Sequence, residues 1–231
     1  MLKFLGMGSC FNPTIGYTSA FYRDKEAKRI YVFDIGGNIF ERMIANNLFN
    51  GVEKVTIVIT HGHSDHVGSL SDTIFYLNIA LRIVPDIIYP NKSYMRGRLR
   101  DEAVHDDEYH LLAPNECQYF KIKEYRQVHN DLIEAYGYLF ELDGKNIYYS
   151  GDTHRIQKEP LKMLVDGRLD YMYHEVTKYH NLAHTHIWNL KERIKPRFRH
   201  KVTCMHFDDD EVIEMAREAG FNIPKLYSKA D

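Results

Sequence analysis

The segment VTIVITHGHSDH, Val55–His66, limits the possible folds of this chain more than any other stretch. Val55–Ile59 is a continuous β-branched run, the pattern of a strand covered on both faces. The chain leaves that strand into His61, His63, Asp65 and His66, four metal-ligand side chains within six positions. Gly62 lets the backbone turn tightly between the first two histidines. Imidazoles with a carboxylate suit Zn²⁺, with Mn²⁺ or Fe²⁺ as alternatives. A polar loop rich in histidine by chance is the plain alternative, but a buried strand feeding directly into a helix exposes side chains at a sheet edge, where sites form.

The rest of the chain supplies strands and helices to surround this segment. Strands are predicted at Leu2–Leu5, Thr18–Tyr22, Ile30–Ile35, Ile87–Tyr89, Gln118–Tyr125, Tyr138–Leu142, Asn146–Tyr149, Tyr171–His174, Val202–Met205 and Lys225–Tyr227. The second and third are joined by the charged turn RDKEAKR, and Asp143-Gly144 is a hairpin turn. Helices are expected from Asn38, as cap, to Phe49, over Val67–Leu81, Pro160–Asp166, from Ile187, and over Asp210–Ala219. Lys92–His110 reads only as mixed helix and loop. Two sheets with helices packed outside, an α/β (αββα) four-layer sandwich, fit this order. At 231 residues without a Pro/Gly/Ser linker, residues 1–231 are expected to form one domain.

The formal charge of -2 gives no general pull on a polyanion, so generic nucleic-acid binding is not expected. Cys10, Cys117 and Cys204 show no paired spacing, which suits a reducing cytoplasm better than a disulfide framework. The start, MLKFLGMGSCFNP, is broken by Gly6 and Gly8 and does not read as a secretion signal, and no run of about 18 apolar residues suggests a membrane span.

The H-x-H-x-D-H pattern of His61–His66 resembles the signature of the metallo-β-lactamase superfamily. The superfamily's remaining positions have matches in order: Asp34 in FDIGG, His129 in QVHND, Asp152 in SGDT and His206 in CMHF. The resemblance implies two divalent ions, Zn²⁺ or else Mn²⁺. His61, His63 and His129 would hold one ion, Asp65, His66 and His206 the other, with Asp152 between them and Asp34 fixing the ligand loop. Such a two-metal centre activates water and stabilises charge on attacking and leaving oxygens. Asp65 is thus both ligand and catalytic group.

Three further stretches are similar to the tRNase Z and cyclic-phosphodiesterase branch: FLGMGS at Phe4–Ser9, HEVT at His174–Thr177, and AHTHIWNL at Ala183–Leu190. In that branch a Glu and a His pair beside the metals, and the matching residues here are Glu175 and His184. A histidine oriented by a carboxylate can donate a proton to a leaving alkoxide. His186 competes for that role and His180 more weakly. Glu175 could instead serve as a helix cap or ion-pair partner.

The compact length, the FLGMGS start and the His63–Tyr76 stretch most resemble the phage-type anti-Pycsar cyclic-nucleotide phosphodiesterases. That likeness implies a homodimer hydrolysing small 3′,5′-cyclic nucleotides, cyclic CMP and cyclic UMP among them, in the cytoplasm, in the host's if phage-encoded, against a nucleotide-based defence signal. Processing of tRNA 3′ ends is the runner-up, although no Gly/Pro-rich tRNA-gripping arm is visible. A non-catalytic nucleotide binder should lack a ligand, and every ligand position is filled. The basic stretches Met95–Arg100 and Lys195–Lys201 could meet phosphate or simply be solvated, and Tyr89, Tyr94 and Tyr179 could stack on a base.

Overall fold

The protein is described from a computed structural model covering residues 1–229. It divides into two compact units, one of Met1–Met7, Ile15–Cys117 and the segment from Lys225, the other of Gly8–Thr14 and Gln118–Pro224.

The first unit contains β1 (Lys3–Gly6), β2 (Ser19–Asp24), β3 (Arg29–Phe33), α1 (Ile39–Ala45), β4 (Lys54–Val58), α2 (Ser64–Val67), α3 (Leu70–Tyr76), β5 (Asp86–Ile88), α4 (Lys92–Asp101) and β6 (His110–Leu112). Its sheet runs β1-β2-β3-β4-β5-β6, antiparallel through β3 and parallel from β3 onward. Four of the five β4 residues are buried, as an interior parallel strand requires. Parallel neighbours all point their carboxyl ends one way, so the turns after β3 and β4 share a sheet edge.

Several predicted boundaries shift for local physical reasons. Asn38 precedes α1 but does not cap it: its Oδ1 accepts from the Tyr17 N–H at 3.1 Å, and α1 ends at Ala45, short of Phe49. The helix expected over Val67–Leu81 starts three residues early and is interrupted. Ser69 donates its hydroxyl to the Gly36 carbonyl and its N–H to Ile35, and the last turn, Leu77–Leu81, is π-helical. Within Lys92–His110 lies the regular helix α4, capped by the Asn91 side chain on the Tyr94 N–H. The sequence reading missed β6. Lys225–Tyr227 is not a strand; Leu226 forms a single bridge to Phe4.

The second unit contains β7 (Ile122–Arg126), β8 (Tyr136–Leu142), β9 (Lys145–Tyr149), α5 (Lys158–Val165), β10 (Tyr171–Glu175), α6 (Ile187–Arg193), β11 (Val202–Met205) and α7 (Asp210–Glu218), with the sheet ordered β11-β10-β9-β8-β7. β7, β8 and β9 form an antiparallel meander, and β9, β10 and β11 are parallel. The β8–β9 hairpin closes through Asp143 and Gly144, both left-handed at φ 51° and 66°, which matches the twist of the flanking strands. The Asp209 side chain caps α7 on the Val212 N–H, and Val212, Ile213 and Ala216 form its buried face. β7 begins at Ile122, four residues later than read from the sequence. β10 runs on to Glu175, so that residue is fixed by ladder hydrogen bonds.

Candidate metal centre

In the first unit the site grows from two strand ends. Asp34 follows β3 in the left-handed conformation, φ 60°, which a residue with a Cβ adopts only at a cost. That turn aims its carboxylate at the next strand. Asp34 Oδ1 accepts the Thr60 N–H at 2.7 Å, and Oδ2 accepts the Thr60 hydroxyl at 2.8 Å and faces His66 Nδ1 at 2.9 Å. Asp34 is fully buried, and burial pushes its carboxyl up while His66 and Thr60 pull it back. With Nδ1 tied to Asp34, the His66 ring presents Nε2 to Asp65, 3.5 Å from its Oδ2. The expected role of Asp34 as the group fixing the loop has this geometry.

The same loop is held by close backbone approach. The Ile35 N–H donates to the His66 carbonyl at 2.7 Å and the Gly37 N–H to Ser64 at 3.1 Å. Between them a Cβ on Gly36 would come within 2.1 Å of the Asp65 carbonyl oxygen. A Cβ on Gly62 would fall 2.0 Å from the Tyr94 hydroxyl, so α4 also abuts the ligand loop. His61 and His63 bring Nε2 and Nδ1 within 2.9 Å of each other, with His61 Nδ1 3.1 Å from the Thr60 hydroxyl.

In the second unit Asp152 is central. His206 Nε2 lies 3.4 Å from Asp152 Oδ2, and His129 Nε2 and His184 Nδ1 both lie 3.8 Å from it. His129 gives its other nitrogen, Nδ1, to the Ala183 carbonyl at 3.0 Å, which orients the ring. His206 leaves β11 in the left-handed region, φ 63°, the counterpart of Asp34 after β3. Glu175 Oε1 accepts the N–H groups of Thr153 and Thr185 at 2.9 and 3.0 Å and lies 3.4 Å from His184 Nδ1. Burial opposes a charge on His184, but Glu175, Asp152 and Asp208 outweigh it and raise the imidazole to about 10.

These donor sets suit a divalent cation. The 3.8 Å separations are too long for hydrogen bonds and the 3.4 Å separation is long for one. They are close to the edge, roughly 3.3 Å, of a tetrahedron built on metal–ligand bonds of about 2.0–2.1 Å. Asp152, His184 and His206 can each offer one ligand atom to a common ion. His184 is therefore placed to act either as a ligand or as a proton donor.

The other candidate side chains make structural contacts. His186 uses both nitrogens structurally: Nε2 reaches the Lys178 carbonyl at 2.9 Å, and Nδ1 accepts the Trp188 N–H at the start of α6. His180 is exposed and stacks on His186, rings 4.1 Å apart. His174, in the HEVT stretch, is fully buried with Nδ1 at the Glu175 carbonyl. Tyr89 is fully buried and cannot stack on a ligand. Within Met95–Arg100, Arg98 donates to the Gly62 carbonyl and pairs with Glu102, while Arg96 and Arg100 pair with Asp106. In Lys195–Lys201, Arg199 bonds the carbonyls of Ile194, Ala219 and Lys191. No helix of the described residues is long and apolar enough to cross a membrane.

Imidazole–carboxylate clusters at strand ends, on sheets of this topology, place the chain in the class of metal-dependent hydrolases with the metallo-β-lactamase fold. Within that class it belongs to the family described as anti-Pycsar protein Apyc1, whose sequence profile matches residues 1–223. A metal-dependent hydrolase of Thermococcus onnurineus is 27% identical over 165 residues, 68% of each chain. Among solved structures, the metallo-β-lactamase fold protein YhfI from Bacillus subtilis superposes with a TM-score of 0.72 at 11% identity, covering 99% of this chain and 96% of that one. A diphosphatase of the PhnP family gives 0.70 at 20% identity, covering 97% and 94%. The short form of human tRNase Z gives 0.67 at 16%, covering 98% and 96%.

Proposed function

We propose that the protein is a two-metal phosphodiesterase that opens 3′,5′-cyclic nucleotides, cyclic CMP and cyclic UMP among them, to nucleoside monophosphates. The observation that carries this reading is the family match over residues 1–223. We assign His61, His63 and His129 to one ion, Asp65, His66 and His206 to the other, and Asp152 to both. The whole chain then acts as one hydrolase domain, and Zn²⁺ or Mn²⁺ is the resident ion. When bound, such ions supply Lewis-acid activation of water and charge stabilisation on the phosphoryl oxygens.

The chain's own groups do the rest. Asp34 and the Gly36 turn hold the His61–His66 loop in register. Glu175, anchored by two backbone N–H groups, faces Nδ1 of His184 and orients the ring. His184 gives its proton to the ring oxygen that leaves phosphorus as water adds, a step worth about 10²–10⁴ in rate. A homodimer working in the cytoplasm and removing a nucleotide defence signal is part of the same reading.

Purified protein with Mn²⁺ or Zn²⁺ should be tested against cyclic CMP, UMP, AMP and GMP beside a precursor tRNA carrying a 3′ trailer. Comparable cleavage of the cyclic pyrimidine and purine nucleotides, with the trailer intact, is expected. Trailer cleavage without action on cyclic nucleotides would replace this reading with tRNA processing.

A further inference from the structure

We infer that the cavity walled by Val128, Asn130, His154, Arg155 and Leu182 is the nucleoside subsite, seating base and sugar while the phosphate lies at Asp152 and His129. The inference rests on a nucleotide being the substrate. The cavity lies wholly within the second unit, has a volume of about 630 Å³, and includes His129 in its wall. That volume suits a small organic ligand, for which about 300–1,000 Å³ is usual.

Most polar groups around it are already committed. Gln127 donates to the Tyr148 hydroxyl and the Ser150 carbonyl and accepts from Gln157, and Arg126 pairs with Glu134. The Arg155 guanidinium is exposed and has no ion-pair partner among the described residues. Its backbone is nonetheless fixed: the Arg155 N–H donates to the Thr153 hydroxyl at 3.1 Å, and that hydroxyl lies 2.9 Å from the Arg155 carbonyl. The guanidinium is thus rooted three residues from the ligand Asp152. The His154 N–H donates to the Val128 carbonyl at 2.6 Å, and His154 Nδ1 lies 3.3 Å from the His184 carbonyl, so His154 links the Val128 wall to the backbone of the His184 loop.

The apolar part of the wall is unusually open, with Val128 49% and Leu182 81% exposed. A single exposed leucine is ordinary. Two apolar side chains beside an uncommitted guanidinium offer what a base needs, a flat face to lie on and donors for its edge. A guanidinium only donates, and every nucleobase carries edge acceptors, so this wall favours broad base tolerance.

The test compares Arg155→Ala and Leu182→Asp with the wild type, first on cyclic CMP against bis(p-nitrophenyl) phosphate, a diester without a nucleoside. The expected result is a fall of about tenfold in kcat/KM for cyclic CMP relative to the nucleoside-free diester, carried by KM. A ratio within about twofold of wild type in both variants overturns the inference. Calorimetric titration with cytidine 5′-monophosphate and with inorganic phosphate separates this inference from the assigned activity. Nucleotide binding that weakens about tenfold in Arg155→Ala, more than phosphate binding does, supports the subsite even if cyclic nucleotides are not hydrolysed. Nucleotide binding no tighter than that of phosphate in the wild type overturns it. Both positions are exposed, and unchanged circular dichroism verifies folding.

Discussion

At the scale of single residues, the site depends on groups that touch ligands rather than on the ligands alone. Asp34 accepts three contacts that all need an acceptor: the Thr60 N–H, the Thr60 hydroxyl and His66 Nδ1. Asp34→Asn keeps the shape but turns one acceptor into a donor. Metal affinity should fall about 10–100-fold with the fold retained, as read by metal titration. His184→Ala should lower kcat by about 10²–10⁴ with a much smaller change in KM. The bound-metal stoichiometry of the same variant distinguishes proton donor from ligand, since loss of an ion would assign His184 to the metal. His174 gives a stability prediction. Burial, against the opposing Glu175 carbonyl and charge, holds its pKa below 6.5. Below pH 6.5 the unfolded chain therefore binds a proton that the folded chain resists, and stability is lost as pH falls. Urea unfolding should show an acid decline of at most about 1.4 kcal/mol per pH unit from this group, reduced in His174→Gln. An identical decline in both proteins would remove His174 from the account.

At the scale of elements, the ligand loop is shaped by what packs on it. The turn after β3 approaches α2 so closely that only glycine fits at position 36, because the obstructing atom is the Asp65 backbone oxygen, not a movable side chain. Gly36→Ala should displace Asp65 and His66 together, costing about 2–4 kcal/mol and most of the metal affinity. Thermal unfolding and metal titration measure the two losses, and a variant unchanged in both would show that the turn has slack. The sequence marked FDIGG only for its aspartate. The glycine's role was not legible there because Asp65 is 29 positions away, and the need for glycine comes from a backbone contact. The helix break at Gly68–Ser69 has the same origin: Ser69 bonds across to Ile35 and Gly36, which overrides continuous helical spacing.

At the scale of the whole molecule, the proposed ligand set, His61–His66 with His129, Asp152 and His206, links ion binding to folding. Ions bound by such a set stabilise the native chain by mass action, about 3–4 kcal/mol when the free ion exceeds its Kd by 100–1,000-fold. Dialysis against a chelator should therefore lower Tm, and added Zn²⁺ or Mn²⁺ should restore it. A Tm indifferent to chelation and reloading would count against the proposed ligand set.

The sequence by itself marked the metal-dependent hydrolase class and candidate residues for its site. A β-branched run leading into His61–His66 marks a strand end by local pattern, whereas the later His129, Asp152, Glu175, His184 and His206 are located by resemblance to the superfamily's motifs. Only tertiary structure separates the surroundings of His184 from those of His186, which sit two positions apart in one loop. One imidazole faces Glu175 and Asp152, whereas the other is held by the Lys178 carbonyl and the start of α6. Side-chain direction there is set by hydrogen bonds to groups distant in sequence, and no pattern along the chain encodes them.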